Sequence, residues 1–418
     1  MIGIKTKAGF LFRRFITSKI SKFIEAQNVR GGRYAKFCTV SVDQPPRRTS
    51  VPLGRRRVKA REKILEYFSG TTLQEHIDDL PINLMNLSST NSEHLYLCHD
   101  GVASQVVNLI QNDLMTDSSK VIEMNPGMGC LTKKIMDAGI QFLKALEPNE
   151  KFEPFLMDLS KEYPDKLTID KTDFMSFWKL VHLDKYDEVK RVAQLLPEFS
   201  RVPWGDKPGL KVVGTVSDTK FVSFVMMDII RQSKMYSYGR PCLYLCLPPR
   251  VWEKFTCDGS TGLVRYTSLP ILFQTIFDYK LLGQVPRKAF LPWQLTPMRS
   301  DKGKKTRTEE YMYVVGIEGK KNLFSEVIDE RLLQAYWFFV HHNMYARTSK
   351  VIQQMEAWEP GCGPALIKQG FNVFTQFGDL TSEDILKIFK EFSTWHSFGS
   401  SFIPCMENSS QKMETLFF

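Results

Sequence analysis

The sequence lacks any pair of cysteines at the spacing that is typical of metal and redox sites. Its eight cysteines are scattered, and none forms a Cys-x-x-Cys pair with another. Such pairs are typical of zinc and thiol redox sites, whereas disulfide frameworks accompany a secretory signal, whose apolar core is also missing here. The cysteine usage therefore predicts reduced thiols, and no metal ligand is assigned.

Long apolar runs are also missing. A helix that crosses a bilayer needs about 20 apolar residues, and the richest run here, Leu332–Val340, is much shorter. We therefore expect a soluble chain without a membrane span.

Acidic residues are absent from the first 24 positions, which hold six Lys and Arg together with Phe12, Ile16, Ile20 and Phe23 at helical spacing. A basic, acid-free amphipathic helix is typical of mitochondrial import signals. This pattern predicts a transit peptide and linker over residues 1–45 and a location in the mitochondrial matrix. The alternative is a basic tail that is disordered or binds a membrane surface.

Basic charge is concentrated at the N-terminus. Residues 1–63 contain 17 of the 56 Lys and Arg but only three of the 46 acidic residues, so the remainder, with 39 basic and 43 acidic residues, is slightly acidic. Nucleic-acid contacts would then depend on local clusters. The predicted phosphate-contacting residues are Arg55, Arg56, Arg57, Lys59 and Arg61 on an arm, and Lys302, Lys304, Lys305 and Arg307 on a loop. For both clusters the alternative is a solvated basic surface.

The hydrophobic pattern predicts an α/β body followed by helices. A helix over Asp100–Leu114 precedes the strands, and a late antiparallel pair is expected to close the sheet. The predicted strands are Val121–Glu123, Phe142–Leu146, Leu167–Ile169, Lys211–Val216, Cys242–Leu247, Leu281–Val285 and Tyr311–Ile317. The expected domains are a basic arm and variable loop over 46–92, with Thr71–Asn91 as the loop, an α/β domain over 93–322, and a helical domain over 323–418.

One stretch, Lys120–Thr132, organises the body. An apolar run containing Glu123 leads into Asn125, Gly127 and Gly129, and the next apolar segment ends at Glu147, about twenty residues further on. A glycine turn between a strand and a helix, followed by an acid at this distance, predicts an adenosine cofactor whose ribose the acid would bind. The alternative is an ordinary tight turn.

These residues resemble motif I of S-adenosylmethionine methyltransferases, and specifically the Glu-x-Gly-x-Gly-x-Leu-Thr signature of the rRNA adenine dimethyltransferase family. The resemblance extends from about Leu95 to the C-terminus. It implies a Rossmann-like class I methyltransferase domain with a smaller all-helical C-terminal domain, and S-adenosyl-L-methionine as the cofactor.

The resemblance also implies the cofactor contacts, with Glu147 at the ribose and Asp173 at the adenine amine. The full implied set is Leu97, Glu123, Asn125, Gly127, Gly129, Glu147 and Asp173. Asn125 departs from the family, which has a glycine there. For Glu147 and Asp173 the alternative is a strand-end carboxylate that caps a helix or faces water.

The family holds its flipped target adenine with an Asn-Leu/Pro-Pro-Tyr/Phe segment after the fourth strand of the sheet. At that place this chain has Thr215, Val216, Ser217 and Asp218. The amide, the proline and the aromatic ring are all replaced. We therefore assign no catalytic residue and expect methyl transfer that is weak or lost.

Further segments, Val202–Trp204, Leu210–Gly214 and Tyr238–Arg240, resemble a mitochondrial branch of the family. That resemblance implies a transcription initiation factor of the matrix nucleoid, which helps a single-subunit mitochondrial RNA polymerase to melt promoter DNA. The alternative is an active adenine-N6 dimethyltransferase that acts on mitochondrial small-subunit rRNA.

Overall fold

The computed structural model describes residues 62–80, 84, 94–115, 120–187, 189–262, 266–293 and 310–416. The chain divides after Gln334 into an α/β unit and a helical unit that begins at Ala335.

The α/β unit contains a central sheet and a small two-stranded sheet. In chain order the strands are β1 (Tyr96–Leu97), β2 (Lys120–Met124), β3 (Phe142–Leu146), β4 (Leu167–Asp170), β5 (Leu210–Thr215), β6 (Pro241–Leu247), β7 (Phe277–Pro286), β8 (Phe290–Leu291) and β9 (Tyr311–Gly319). The central order is β4-β3-β2-β5-β6-β9-β7, and β1 pairs with β8. The first five strands in this order, from β4 at the edge to β6, are parallel to one another. Strand β9 runs antiparallel to both β6 and β7. The predicted α/β class and the antiparallel closing pair are confirmed.

Helices follow most of the strands. Those from Asp100 onward in the α/β unit are α1 (Asp100–Leu114), α2 (Cys130–Asp137), α3 (Glu153–Glu162), α4 (Phe177–Tyr186), α5 (Arg191–Leu195), α6 (Lys220–Ile230), α7 (Pro249–Thr256) and α8 (Ser268–Ile276). Helix α1 has the predicted bounds. Because β2 to β5 are parallel, the turns that precede α2, α4 and α6 all lie at the carboxyl edge of the sheet.

Strands β5 and β6 are buried at every residue, as expected for parallel strands that are covered on both faces. Cys242, Tyr244 and Cys246 lie in one hydrophobic cluster. The alternation of these residues therefore marks one face of a core strand.

The expectation of a loop over Thr71–Asn91 was wrong in its first half. A short helix spans Thr72–Glu75, and Leu73, Ile77 and Leu80 are buried in a cluster that also contains Tyr96 and Met128. Leu73 lies in this helix, whereas Ile77 and Leu80 lie in the turns that follow it. The polar composition of the surrounding stretch concealed it.

The second unit is helical, and its core is rich in aromatic rings. Its helices are α9 (Leu333–Tyr345), α10 (Val351–Glu356), α11 (Gly363–Lys368), α12 (Ser382–Phe392) and α13 (Ile403–Leu416). Phe339 of α9 lies 5.4 Å from Phe389 of α12, between ring centroids, and Phe392 lies 5.1 Å from Phe402. In the described parts of the chain, no helix is both long and apolar enough to cross a membrane.

Candidate functional site

The turn after β2 requires glycine at two positions. Asn125, Gly127 and Gly129 have φ values of 53°, 60° and 83°, in the left-handed region that glycine adopts freely and asparagine tolerates. A Cβ on Gly127 would lie 2.9 Å from the ring of Tyr96, and one on Gly129 would lie 2.3 Å from Leu159. Close packing and backbone geometry therefore both select glycine here.

Glu147 follows β3 and is tied to this turn. Its Oε2 accepts a hydrogen bond from the Gly127 N–H at 2.9 Å, and its Oε1 accepts one from the Asn149 N–H at 2.8 Å. The Tyr96 hydroxyl donates to Oε1 at 3.5 Å. Burial raises the pKa of Glu147 to about 7, although these hydrogen bonds oppose the shift. A carboxylate offers about four acceptor positions, so Oε2 can still accept a ribose hydroxyl.

Glu123 lies near Glu147 and is only 1% exposed. Burial raises the pKa of Glu123 to about 8, and the charge of Glu147 contributes to the rise. The nearby Thr132 hydroxyl lowers the pKa of Glu123 and so opposes this rise, although the two groups do not meet the geometry of a hydrogen bond. Two acids are thus held in one poorly solvated site, which favours their neutral forms.

Several buried polar atoms around the turn have no protein partner. They are Glu123 Oε2, both amide atoms of Asn125, Thr132 Oγ1 and Asp173 Oδ1. Buried polar atoms in folded proteins almost always have hydrogen-bond partners, so a polar ligand would satisfy this group. S-adenosylmethionine, with its ammonium, ribose hydroxyls and adenine amine, fits such a mixture of acids and amide.

Asp173 follows β4 and immediately precedes the short helical turn Phe174–Ser176. Its charge contributes to the raised pKa of Glu147. The fold therefore brings Glu123, Gly127, Glu147 and Asp173 to one place at the carboxyl edge of the sheet.

Leu97 and Tyr96 lie on β1 but belong to different clusters. Leu97 is buried in the main core, whereas Tyr96 lies against Met128 and reaches Glu147. Successive strand residues point to opposite faces. That alternation separates Tyr96 from Leu97, but no local pattern relates Tyr96 to Glu147. The spacing of three residues from Gly129 could have identified Thr132 in the first turn of α2.

The segment after β5 is engaged with the protein itself. The Thr215 hydroxyl donates to the backbone carbonyl of Leu95, and the Val216 N–H donates to the Cys246 carbonyl at 3.0 Å. Asp218 Oδ1 accepts from the Lys220 N–H at 2.9 Å at the start of α6. The polar groups of this segment therefore stabilise the fold.

The predicted phosphate-contacting residues lie outside the described residues. They are Arg55, Arg56, Arg57, Lys59, Arg61, Lys302, Lys304, Lys305 and Arg307. Within the described ranges, no group of three or more His, Cys, Asp or Glu side chains could hold a metal ion.

A comparison with known proteins matches residues 90–394 to the family model described as "Ribosomal RNA adenine dimethylase". The chain is 30% identical to the "Dimethyladenosine transferase 2, mitochondrial" of Drosophila melanogaster, over 88% of this chain and 90% of that protein. It is 26% identical to the "Mitochondrial dimethyladenosine transferase 1" of Bos taurus, over 41% of this chain and 47% of that protein. Among solved structures, the 23S rRNA methyltransferase ErmE is similar over 72% of this chain and 100% of the ErmE chain, with 14% sequence identity and a TM-score of 0.47.

Proposed function

The chain belongs to the ribosomal RNA adenine dimethylase family, and on that premise we propose that it is a mitochondrial transcription initiation factor. In this proposal it helps the single-subunit mitochondrial RNA polymerase to melt promoter DNA in the matrix nucleoid. A scaffold built to receive an unstacked base also suits a melted strand.

The observation that carries the proposal is the engagement of the segment after β5. Transfer to an adenine amine needs groups that hold the flipped base in line with the methyl donor. Here the Thr215 hydroxyl is bound to the Leu95 carbonyl, and Asp218 accepts from the start of α6. A base stack alone contributes roughly 1–3 kcal/mol, and this segment has no aromatic ring to supply it.

The residues around the turn after β2 support binding of S-adenosylmethionine more than they support methyl transfer. Glu147 would bind the ribose, Asp173 the adenine amine, and Glu123 and Asn125 the amino-acid end of the cofactor. S-adenosylmethionine supplies a sulfonium methyl group when bound. The chain's own contribution is to position it between the glycine turn and these acids, so binding without efficient transfer is the expected remnant of the ancestral activity.

The names of these relatives, and the share of this chain that each one matches, support the mitochondrial part of the proposal. The relative named dimethyladenosine transferase 2 matches 88% of this chain, against 41% for the relative named transferase 1. We assign promoter phosphate contacts to the arm Arg55–Arg61 and the loop Lys302–Arg307. Replacing three arm arginines by alanine should then reduce the salt slope of single-strand binding by up to about 2.

The second candidate function is an active adenine-N6 dimethyltransferase of mitochondrial small-subunit rRNA. The observation that favours it is the geometry around Glu147, which accepts hydrogen bonds from the Gly127 and Asn149 N–H groups beside polar atoms without protein partners. On this reading, groups outside the segment after β5 would hold the target base.

Run-off transcription with the cognate polymerase separates the two functions. The full chain is added to one promoter in closed form and to the same promoter with a pre-melted start site. We expect strong stimulation on the closed template and little on the pre-melted one, because melting is the assisted step. Equal output with and without the protein on the closed template would overturn the proposal.

A further inference from the structure

A turn in the helical unit exposes two large apolar side chains. Phe374 is 72% exposed and Val373 is 51% exposed, and the two are adjacent in the segment between α11 and α12. The aromatic residues on either side of them, Phe371 and Phe377, are buried at 7% and 0% exposure. The core of this unit therefore uses the rings that flank the turn and leaves Val373 and Phe374, here called the apolar tip, in water.

Hydrogen bonds fix the backbone of this turn. Asn372 Oδ1 accepts from the N–H groups of Phe374 at 2.8 Å and Thr375 at 3.0 Å, and the Asn372 N–H donates to Thr375 Oγ1 at 3.1 Å. The Thr375 carbonyl accepts from the Val351 N–H at 2.9 Å, which connects the turn to the start of α10. Because the turn is already ordered, the apolar tip can bind a partner at little cost in conformational entropy.

Lysine side chains surround the apolar tip. Lys350 Nζ lies 5.3 Å from the centre of the Phe374 ring, and Lys387 Nζ lies 5.8 Å from the centre of the Phe371 ring. Lys368 is exposed at the end of α11. The tip is therefore bordered by three ammonium groups.

Acidic residues are missing from the same stretch of chain. No Asp or Glu occurs in residues 360–378. The acids at its two ends are bound to the backbone, because Glu359 accepts from the Ser397 N–H at 2.9 Å and Asp379 accepts from the Gln376 N–H at 3.1 Å. The charge around the tip therefore favours an anionic partner.

A phospholipid surface fits this combination better than a nucleic acid or a protein does. Bases stack on aromatic ring faces, but Lys350 already lies over the Phe374 ring and Val373 has no ring. A protruding tip needs a matching cavity on a protein, whereas the boundary between headgroups and acyl chains accepts apolar side chains without one. Lysine stems can follow the tip while their ammonium groups stay at the phosphates, and anionic lipids add attraction.

We propose that the turn at residues 372–375 inserts Val373 and Phe374 into the surface of a membrane that contains anionic phospholipids. Lys350, Lys368 and Lys387 contact the headgroup phosphates. The attachment is peripheral and involves no membrane-spanning helix. This inference goes beyond the proposed function and does not depend on it, because it concerns where the protein is held and not what it does to nucleic acid.

The test measures binding of the full chain to vesicles by sedimentation at several salt concentrations. One set of vesicles is phosphatidylcholine alone, and the other is an equimolar mixture with phosphatidylglycerol. Phe374→Ala should weaken binding to the mixed vesicles about tenfold through the lost burial of a phenylalanine ring. Lys368→Gln should weaken it about fivefold at low salt, as expected for one ammonium group. Met157→Ala is the matched control, since Met157 is 45% exposed on α3 and lies in the other unit; its affinity should equal that of the wild type.

A local measurement separates the apolar tip from the basic residues at the N-terminus, which also attract anionic lipid. Phe374→Trp places a fluorophore at the tip, and brominated phosphatidylcholine in the mixed vesicles should quench the fluorescence that this variant adds to that of the wild type. Met157→Trp is the control, and its added fluorescence should not be quenched.

Unquenched fluorescence of Phe374→Trp on vesicles that bind the protein would overturn the insertion, whatever the affinity of Phe374→Ala. Failure of the full chain to bind the mixed vesicles would overturn it as well. If Phe374→Ala instead weakened binding to a single-stranded oligonucleotide or to the polymerase, with vesicle binding unchanged, the tip would be a nucleic-acid or protein contact and the proposal would be wrong. None of these results bears on run-off transcription, so the proposed function is tested separately.

Discussion

Two neighbouring parts of one sheet edge differ in how they use their polar atoms. Around the turn after β2, Asn125 and Asp173 keep buried polar atoms without protein partners. After β5, Thr215 and Asp218 are bound to the chain's own backbone. The first region has the properties of a ligand site, whereas in the second region these polar groups stabilise the fold. Under the proposed function, this difference would explain how a reaction is lost while the fold is kept, because polar groups at the substrate-binding positions are satisfied internally.

The largest expected effect concerns the ligand side, by which we mean the residues around the turn after β2. Gly129→Ala should destabilise the protein by about 1–2 kcal/mol through the left-handed backbone and by a further ~1–3 kcal/mol through the clash with Leu159. Gly70→Ala is the control, because Gly70 has a similar φ of 76° and no atom near its Cβ. Urea unfolding of both variants should separate the two contributions. Equal losses would show that close packing at the turn is unimportant.

The buried acids should make stability depend on pH. Glu123 has an ordinary pKa of 4.5 and a folded pKa of about 8, so the folded protein binds a proton that the unfolded chain releases between these values. The stabilisation is complete below pH 4.5 and is lost as pH rises through 8, at up to about 1.4 kcal/mol per pH unit for one proton.

Glu123→Gln should therefore flatten the decline in unfolding free energy between pH 4.5 and 8, leaving the part that Glu147 contributes. Glu150→Gln is the matched control, since the Glu150 side chain is 81% exposed. A decline as steep in Glu123→Gln as in the wild type would contradict this account of the site.

Glu147→Gln tests whether the ligand side still binds a cofactor. The change removes a charged acceptor of two backbone N–H groups, and hydrogen bonds to charged groups contribute about 1.5–3 kcal/mol. Binding of S-adenosylhomocysteine, measured by calorimetry at pH 8, should weaken at least about tenfold. Asp218→Asn, in the segment after β5, should leave the affinity for S-adenosylhomocysteine unchanged. Equal effects of the two variants would remove the distinction between the regions.

The smallest expected effect concerns the segment after β5. Thr215→Val keeps the side-chain shape but leaves the buried Leu95 carbonyl without its donor, which should cost about 1–2 kcal/mol. Thr256→Val is the control, because the Thr256 hydroxyl bonds to Trp252 within a half-buried helix and should cost less. A neutral Thr215→Val variant would indicate that this hydroxyl is free for another role.

Local patterns predicted the elements of the fold well. The bounds of α1 and β3 were predicted correctly, and β3 lies between the polar residues Gln141 and Glu147. The bonds that define the site join distant positions and have no local signature. Tyr96 meets Glu147 across 51 residues, and Thr215 meets Leu95 across 120.

The face of α4 shows a second limit of sequence patterns. Phe177 and Trp178 are adjacent and both aromatic, yet one is fully buried and the other is half exposed. Apolar residues cover most of the circumference of this helix, so periodicity alone could not decide which side faces the core. The packing of Phe177 against α6 decides it.

We propose that the cofactor-binding residues around the turn after β2 persist, while the segment after β5 has lost the groups that hold a target base. Single-turnover methyl transfer from labelled S-adenosylmethionine, at saturating cofactor, to a small-subunit rRNA hairpin tests it most directly. We predict bound cofactor with transfer several orders of magnitude slower than by an intact family member assayed alongside. Stoichiometric dimethylation of the hairpin at that member's rate would contradict the claim.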